Sequence, residues 1–466
     1  MVTGSPTACP RPEPLPKNPI PCETPADIRP PGFSMLARLL TAFAAVLLIA
    51  GPATAHTPAP DSLDRIAEDF VKLTLEAGER EEGYVDAYYG PAEWATAAKA
   101  KPRDQATLRV DARKLAARLD GVPITGLSAM DLKRRAFLIG QVKAADTRLS
   151  MALGETFKFA DEAEGLFGFR PQLMPLAHYD AVLARIEALV PGEGPLWQRV
   201  DAYQNQFAVP ADKLDAVMRA GIAECRRRTA AHITLPAQEQ FTLEFVKGKS
   251  WSGYNWYKGN AVSLIQINTD LPIRIDRAID LGCHEGYPGH HALNMLLEQK
   301  LAKERGWVEF TVYPLYSPQS FIAEGTANYG IDLAFSEADK VAFEREVLFP
   351  LAGLNPAAAK DQVSLGTALK DLAGARLTIA QMYLDGEIDR ETAIGLAQKY
   401  QLMSRARAEQ SIRFTETYRS YVINYGLGEA TAKAHVEAAA PDAAGRWKAF
   451  ETLISEPTLP ADLLKP

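Results

Sequence analysis

Three of the chain's seven histidines fall within eight positions, in His284-Glu285-Gly286-Tyr287-Pro288-Gly289-His290-His291. The ordinary zinc-peptidase signature is His-Glu-x-x-His on one helix. Its two imidazoles sit one turn apart, about 6 Å along the axis, and converge on the ion. The Glu between them activates the attacking water. Here the fifth position is Pro288, which has no ligating atom. The next histidines stand at +6 and +7 from His284. In an unbroken helix the +7 residue lies about 10.5 Å further along the axis, and the +6 residue is turned by about 120°. Pro288-Gly289 is a strong helix disturber, because proline removes a backbone donor and glycine accepts unusual dihedrals. A bulge at that point returns one of His290 and His291 to the side of His284. The spacing therefore reads as an insertion variant of the zinc motif with two residues looped out.

A catalytic zinc site needs a third protein ligand and one position left for water. The candidate is Glu324 in Ser320-Phe321-Ile322-Ala323-Glu324-Gly325, 40 residues beyond His284. A second helix packed on the first delivers a carboxylate at that range. Asn328 and Asp332, one and two turns further on, suit the contacts that orient imidazole ligands, as does Asp280 one turn before His284. Cys283 is turned about 100° from His284 on a helix, and its role is that of a small buried hydrophobe. One zinc per chain is expected.

The segment His284 to His291 resembles the His-Glu-x-x-Pro-Gly-His-His signature of the domain of unknown function 885 family. That family consists largely of exported bacterial proteins and is grouped with the gluzincin-like zinc metallopeptidases. Ile265-Gln266-Ile267-Asn268-Thr269 is similar to the family's strand ahead of its motif helix. Phe321-Ile322-Ala323-Glu324-Gly325 is similar to its downstream Glu-Gly segment, which implies Glu324 as third ligand. Tyr421 to Gly428 is similar to a family segment ending Tyr-x-x-Gly, without that segment's usual Pro-Gly-Gln. The resemblance implies a helical, zincin-like peptidase with a cleft. The His-Glu-x-x-Gly-His arrangement of dipeptidyl peptidase III keeps Gly before its second ligand, and here Gly289 precedes His290. The metal set is then His284, Glu324 and one of His290 and His291, with His290 favoured.

In such a site Glu285 is the general base. An oxyanion needs a donor, and Tyr425, Tyr421, Tyr418 and Arg413 are candidates, with Tyr425 foremost. Trp251, Tyr254, Trp256 and Tyr257 form an aromatic cluster that either lines a peptide or sugar subsite or packs a strand. The strand from Ser263 to Asn268 either pairs with an extended peptide at a sheet edge or is an interior strand. The expected function is an exported zinc metallopeptidase acting on short peptides. Two alternatives stand beside it: a zinc hydrolase of other amides or esters, and a non-catalytic zinc-binding or ligand-capturing protein. Retention of Glu285 argues against the last, because a binder needs ligands but no base. Gly248-Lys249-Ser250-Trp251-Ser252-Gly253 has the wrong spacing for a serine-hydrolase elbow. Gly426-Leu427-Gly428 lacks the remainder of a dinucleotide loop.

The elements that must position these residues are mostly helices. From Asp61 to about Ala231, apolar residues recur three and four apart, as in Ile66, Phe70 and Leu73. Phe241 to Val246 alternates and reads as a strand, as does Ala261 to Asn268. From Pro272 the pattern is helical to the end. The fold class is therefore mainly α-helical, with a small antiparallel β-sheet beside the motif helix. The expected division is a helical region over 56–235 and a zinc-motif region over 236–466, in one continuous domain or two.

The chain has 466 residues, 47% hydrophobic and 23% charged, an ordinary globular mixture. A net charge of -7 makes it a poor partner for nucleic acid. Residues 1–34 are Pro-rich and aperiodic, which marks a disordered extension or a misplaced start ahead of Met35. Met35-Leu36-Ala37-Arg38, the apolar run Leu39 to Ala50, and the Ala53-Thr54-Ala55 tail describe a secretory signal peptide over 35–55. No cysteine stands at the cleavage site to become a lipidated N-terminus, so no membrane anchor is expected after cleavage, and the product is expected to be periplasmic or secreted. Beyond it only Cys225 and Cys283 remain; sequence leaves open whether they pair. N-terminal sequencing of secreted protein is expected to begin at or near His56, and material that retains residues 1–34 would overturn this reading.

Overall fold

The structure is a computed structural model, and it describes residues 62–464. The extension over 1–34 and the signal-like segment over 35–55 lie outside the described residues. The described chain is mainly α-helical with two small sheets. The first helix, α1 (Leu63–Gly78), starts at Ser62, whose side chain accepts from the Arg65 amide. Ile66, Ala67, Phe70, Val71 and Leu73 then fall on one buried face. Strand β1 (Val85–Tyr88) follows. The long helix α2 (Ala129–Ala152) opens with a reciprocal capping box between Ser128 and Asp131, and α3 (Leu214–Ala230) ends the first half.

The sheet ahead of the motif is built from β2 (Gln240–Val246), β3 (Gly253–Tyr257) and β4 (Val262–Asn268), in the order β2-β4-β3. The antiparallel pairing expected between the two strands marked in the sequence is found instead between β4 and β3, with Asn255 opposite Ile265. The other pair differs: β2 runs parallel to β4, Leu243 beside Ile265. Strand β4 is therefore the centre of the sheet, and both its edges are taken. Peptide addition along Ser263 to Asn268 is ruled out by that order. Strand β3 was hidden in the sequence by Gly253 and by an aromatic cluster that serves both packing and the cleft.

Then come the short helix α4 (Arg277–Leu281), a widened π turn over Gly282–Gly286, and α5 (His290–Leu297). Strand β5 (Val312–Pro314) pairs antiparallel with β1, Ala87 opposite Tyr313. Helix α6 (Pro318–Ala334) begins with proline, whose missing N–H costs nothing in the first turn. It is buried nearly all round, from Phe321 to Ile331, as an apolar central helix must be. Three further helices close the site: α7 (Ala373–Leu384), α8 (Arg405–Tyr418) and α9 (Ile423–Ala439). Helices α6 and α9 touch at Gly325 and Gly428. A Cβ on Gly325 would stand 2.5 Å from the Gly428 carbonyl carbon, so only two glycines allow this crossing.

All described residues fall in one unit, and the boundary expected near 235 is crossed by the β1–β5 pair. Cys225 on α3 and Cys283 in the π turn are joined as a disulfide that closes a span of 58 residues. The small-hydrophobe role expected for Cys283 is thus replaced by a cross-link. A buried ion pair also ties the halves: Arg134 on α2 donates to Glu309 from Nε at 2.5 Å and from Nη2 at 3.0 Å. Both side chains are almost fully buried, at 4% and 0% exposure. Arg134 also reaches the exposed Asp64 carboxylate at 2.6 Å, but removing Glu309 takes away its buried partner in a low-dielectric interior. Glu309→Ala is expected to lose about 3 kcal/mol of stability, read as a fall in the urea midpoint; an unchanged midpoint would show that the pair contributes nothing.

Candidate metal centre

The helical path is interrupted where the motif needs it. The π turn places His284 and Glu285 on adjacent faces of a widened loop. Tyr287 is extended, the Tyr287-Pro288 bond is cis, and α5 begins at His290. Gly289 is the pivot. Its amide donates to the Cys283 carbonyl at 3.0 Å. A Cβ there would lie 1.8 Å from the His284 carbonyl oxygen, which no side chain tolerates. This contact folds the two extra residues out of the way and returns His290 to His284.

The result is a convergence of three ligating groups. Ligand atoms of His284, His290 and Glu324 all lie within 4.8 Å of one another. Glu324 Oε2 stands 3.2 Å from His284 Nε2 and 3.7 Å from His290 Nε2. Ligands on a tetrahedral zinc, with bonds near 2.1 Å, are separated by roughly 3.4 Å, so the cluster has the span of a zinc cage. Two further observations fit a cation. Glu324 Oε2 is buried and accepts no hydrogen bond. Burial pushes the Glu324 carboxyl up, but the His290 and His284 imidazoles outweigh it and hold the group well below the usual carboxylate range.

The surroundings aim the ligands. His284 Nδ1 is 3.0 Å from Asn328 Oδ1; donating there leaves the Nε2 lone pair turned towards Glu324. Glu324 Oε1 accepts from the Tyr421 hydroxyl at 2.7 Å. Tyr421 is in turn held by the turn before α9, where Glu162 accepts from the Ser420 amide at 3.1 Å and hydroxyl at 2.7 Å. Asn328 therefore sits where the sequence suggested. Asp332 does not: it pairs with Lys340 at 2.8 Å and Lys370 at 3.0 Å. Asp280 pairs with Arg277 at 3.0 Å.

His291 stays outside the cluster. It is fully buried, with Nδ1 at 2.7 Å from Ser263 Oγ and Nε2 at 3.3 Å from Glu239 Oε2. Tyr287 and Arg226 also donate to Glu239. Burial raises the Glu239 carboxyl, and these three partners bring it down to about 2. His291 is thus a strut between β4 and α5, and both its ring nitrogens are engaged.

Glu285 lies beside the cluster at 4% exposure, on the wall of the cleft. Burial pushes its carboxyl up to about 7, with Glu324 and Asp86 adding and His290 opposing. The cleft has two lobes that meet at His284 and Glu285. One, narrow at about 60 Å³, is lined by aromatic groups including Trp251, Tyr254, Tyr313, Tyr418 and Tyr421. The other, wider at about 400 Å³, is polar and holds Arg277, Lys370, Arg376 and Arg407. Tyr425 borders both, its ring stacked on His284 with centroids 6.3 Å apart. Burial keeps the Tyr425 and Tyr421 phenols protonated far above their ordinary value. Arg413 is exposed and does not line either lobe. Of the aromatic cluster, Trp251 and Tyr254 face the cleft, while Trp256 donates to Gln266 and Tyr257 to Glu298.

Several cleft residues escaped the sequence, among them Asp86, Tyr313 and Arg376. Asp86 reaches the aromatic lobe from β1, nearly 200 residues before the motif. Tyr254 donates to it, and burial drives its carboxyl up to about 6. Tyr313 comes from β5 and Arg376 from α7. Each is a single polar residue in an ordinary element, with no local pattern to mark it.

No protein-family model and no curated protein matches the chain, so the family that the motif resembles is not shown. Among solved structures it is similar to a proposed lipoprotein from Colwellia psychrerythraea, at 14% identity and TM-score 0.49, over 77% of this chain and 68% of that one. It is also similar to a proposed lipoprotein of unknown function from Shewanella oneidensis, at 12% identity and TM-score 0.43, over 83% of each chain. A third is an M32 carboxypeptidase from Deinococcus radiodurans R1, at 12% identity and TM-score 0.44, over 84% of this chain and 88% of that one. Likeness at this level transfers no residue role.

The geometry generates a metal-content series. His284→Ala, His290→Ala, Glu324→Ala and Gly289→Ala are each expected to fall well below one zinc per chain by atomic absorption. His291→Ala is expected to keep its zinc and lose stability instead. Zinc loss on His291→Ala with retention on His290→Ala would reverse the assignment.

Proposed function

We propose that this protein is an exported zinc-dependent metallopeptidase acting on short peptides. The observation that carries the proposal is the convergence of His284, His290 and Glu324, with the buried carboxylate of Glu285 beside them in an open cleft. A bound zinc ion would supply a Lewis acid for the scissile carbonyl. The chain's own groups supply the rest. His284, held by Asn328, and Glu324, held by Tyr421, keep the donor set aimed. Glu285 takes a proton from the attacking water on its carboxylate and delivers it to the leaving amine nitrogen. Tyr425 is the better oxyanion donor. Its phenol stays protonated and makes no hydrogen bond among the described residues, whereas the Tyr421 hydroxyl is engaged with Glu324. The aromatic lobe offers apolar contact for peptide side chains.

Export is supported by the signal-like segment over 35–55 and by the Cys225–Cys283 disulfide, which persists in oxidising compartments. No helix among the described residues is long and apolar enough to cross a membrane.

A mixed-peptide digest read by mass spectrometry tests the activity. Glu285→Gln keeps shape and ligands but removes the base. It is expected to bind zinc normally while turnover falls about 100- to 10,000-fold. Near-normal turnover would overturn the mechanism and favour a binding protein. Cleavage of esters or non-peptide amides alone would move the function to another class of hydrolase.

A further inference from the structure

Four cations line the polar lobe, and three have acidic or carbonyl partners. Arg277 donates to Asp280 at 3.0 Å, and Lys370 to Asp332 at 3.0 Å. Arg407 donates to the Pro272 carbonyl at 3.1 Å and lies 3.8 Å from Asp201. Arg376 is the exception. No described residue accepts a hydrogen bond from it or forms an ion pair with it, and its Nε is buried and unsatisfied. Its guanidinium carbon lies 5.1 Å from the Phe414 ring centre and 5.6 Å from that of Tyr425. Aromatic faces favour a cation but do not replace the hydrogen bonds lost from water. An arginine held this way presents a planar fork of donors with nothing in its grasp.

The neighbours of Arg376 give that fork a direction. It projects from α7, whose Ala375 and Ile379 pack on a second apolar cluster with Ile186, Ala393 and Ile394. The helix is thus anchored away from the cleft while Arg376 borders it. The Tyr425 ring neighbours both the guanidinium and His284, 5.6 Å from one and 6.3 Å from the other. The guanidinium carbon therefore lies no more than about 12 Å from the His284 ring centre, a span covered by three extended residues at about 3.5 Å each together with the carboxylate–guanidinium contact at the end.

We propose that Arg376 receives the C-terminal carboxylate of the substrate, so that the enzyme cuts peptides within their last three residues. A carboxylate matches the guanidinium fork with two parallel charge-assisted hydrogen bonds. Water is added across the amide, its hydroxyl to the carbonyl carbon and its proton to the leaving nitrogen. The short C-terminal fragment then departs from the polar lobe. This inference rests on the peptidase reading, and it adds the substrate class: peptides with a free C-terminus.

The test compares one N-acetylated pentapeptide as free acid and as C-terminal amide. Binding is measured by calorimetry on zinc-loaded Glu285→Gln protein, where turnover does not interfere. The free acid is expected to bind at least about tenfold more tightly, the scale of one charge-assisted pair. Adding Arg376→Gln is expected to bring the ratio of the two affinities close to one, with zinc content unchanged. A merely structural arginine would weaken both ligands alike and leave the ratio. Should that variant fail to fold, Arg376→Lys keeps the charge without the fork, and it must still lower the ratio. Equal binding of acid and amide, or a ratio that survives both substitutions, overturns the proposal. In turnover assays the native enzyme is expected to trim the acid within three residues of its end and to spare the amide. Trimming without discrimination overturns the carboxylate receptor and leaves the peptidase standing. Discrimination in binding without cleavage of any peptide supports the receptor and overturns the peptidase.

Discussion

The site depends on one steric contact, the approach of Gly289 to the carbonyl of His284. A hydrogen atom fits where a Cβ would stand 1.8 Å from that oxygen. Only because it fits can the chain end one helix at a π turn, pass through Tyr287 and Pro288, and start the next helix at His290. The two imidazoles then meet at 4.6 Å between ring centres and nearly at right angles, which a continuous helix does not allow at this spacing. A second close approach, Gly325 against Gly428, sets the opposite wall. It lets α9 lie tightly against α6, so that Tyr421 and Tyr425 reach Glu324 and His284. Two backbone contacts thus set the position of five polar side chains.

Burial then turns position into chemistry. In a low dielectric, a charge without a partner is costly and an acid is driven towards its neutral form. Glu324 and Glu285 lie close together in the same cleft and are pushed in opposite directions. Glu324 faces two imidazoles and stays ionised, as a ligand must. Glu285 lacks that pairing and is raised to about 7, the range suited to proton transfer near neutrality. The separation of the proposed ligand from the proposed base follows from which carboxylate the imidazoles face. Elsewhere buried charges are either matched, as in Arg134 with Glu309 and Glu239 with His291, or driven towards the neutral form, as in Glu344 and Asp276. Against that background the unmatched guanidinium of Arg376 marks a place where the partner comes from outside the chain.

Much of this was legible in the sequence because it is local. The run of apolar residues at helical spacing determines that the protein is mainly helical, since a 3.6-residue period buries one face wherever the helix ends up. The Pro-Gly pair determines that the motif helix is broken, the Glu between the histidines names the candidate base, and the later Glu-Gly segment names the candidate third ligand. What stayed hidden is what proximity across the chain decides. His290 and His291 are adjacent and chemically identical, and only the direction in which α5 leaves Gly289 separates ligand from strut. Strand β4 became central because β2 returned in parallel, a pairing no local pattern encodes. Asp86, Tyr313 and Arg376 belong to the cleft only because β1, β5 and α7 pack there. Residue type and spacing state which chemistry a segment can perform. Which groups share one small volume of low dielectric is set by long-range packing, and only the tertiary structure decides it.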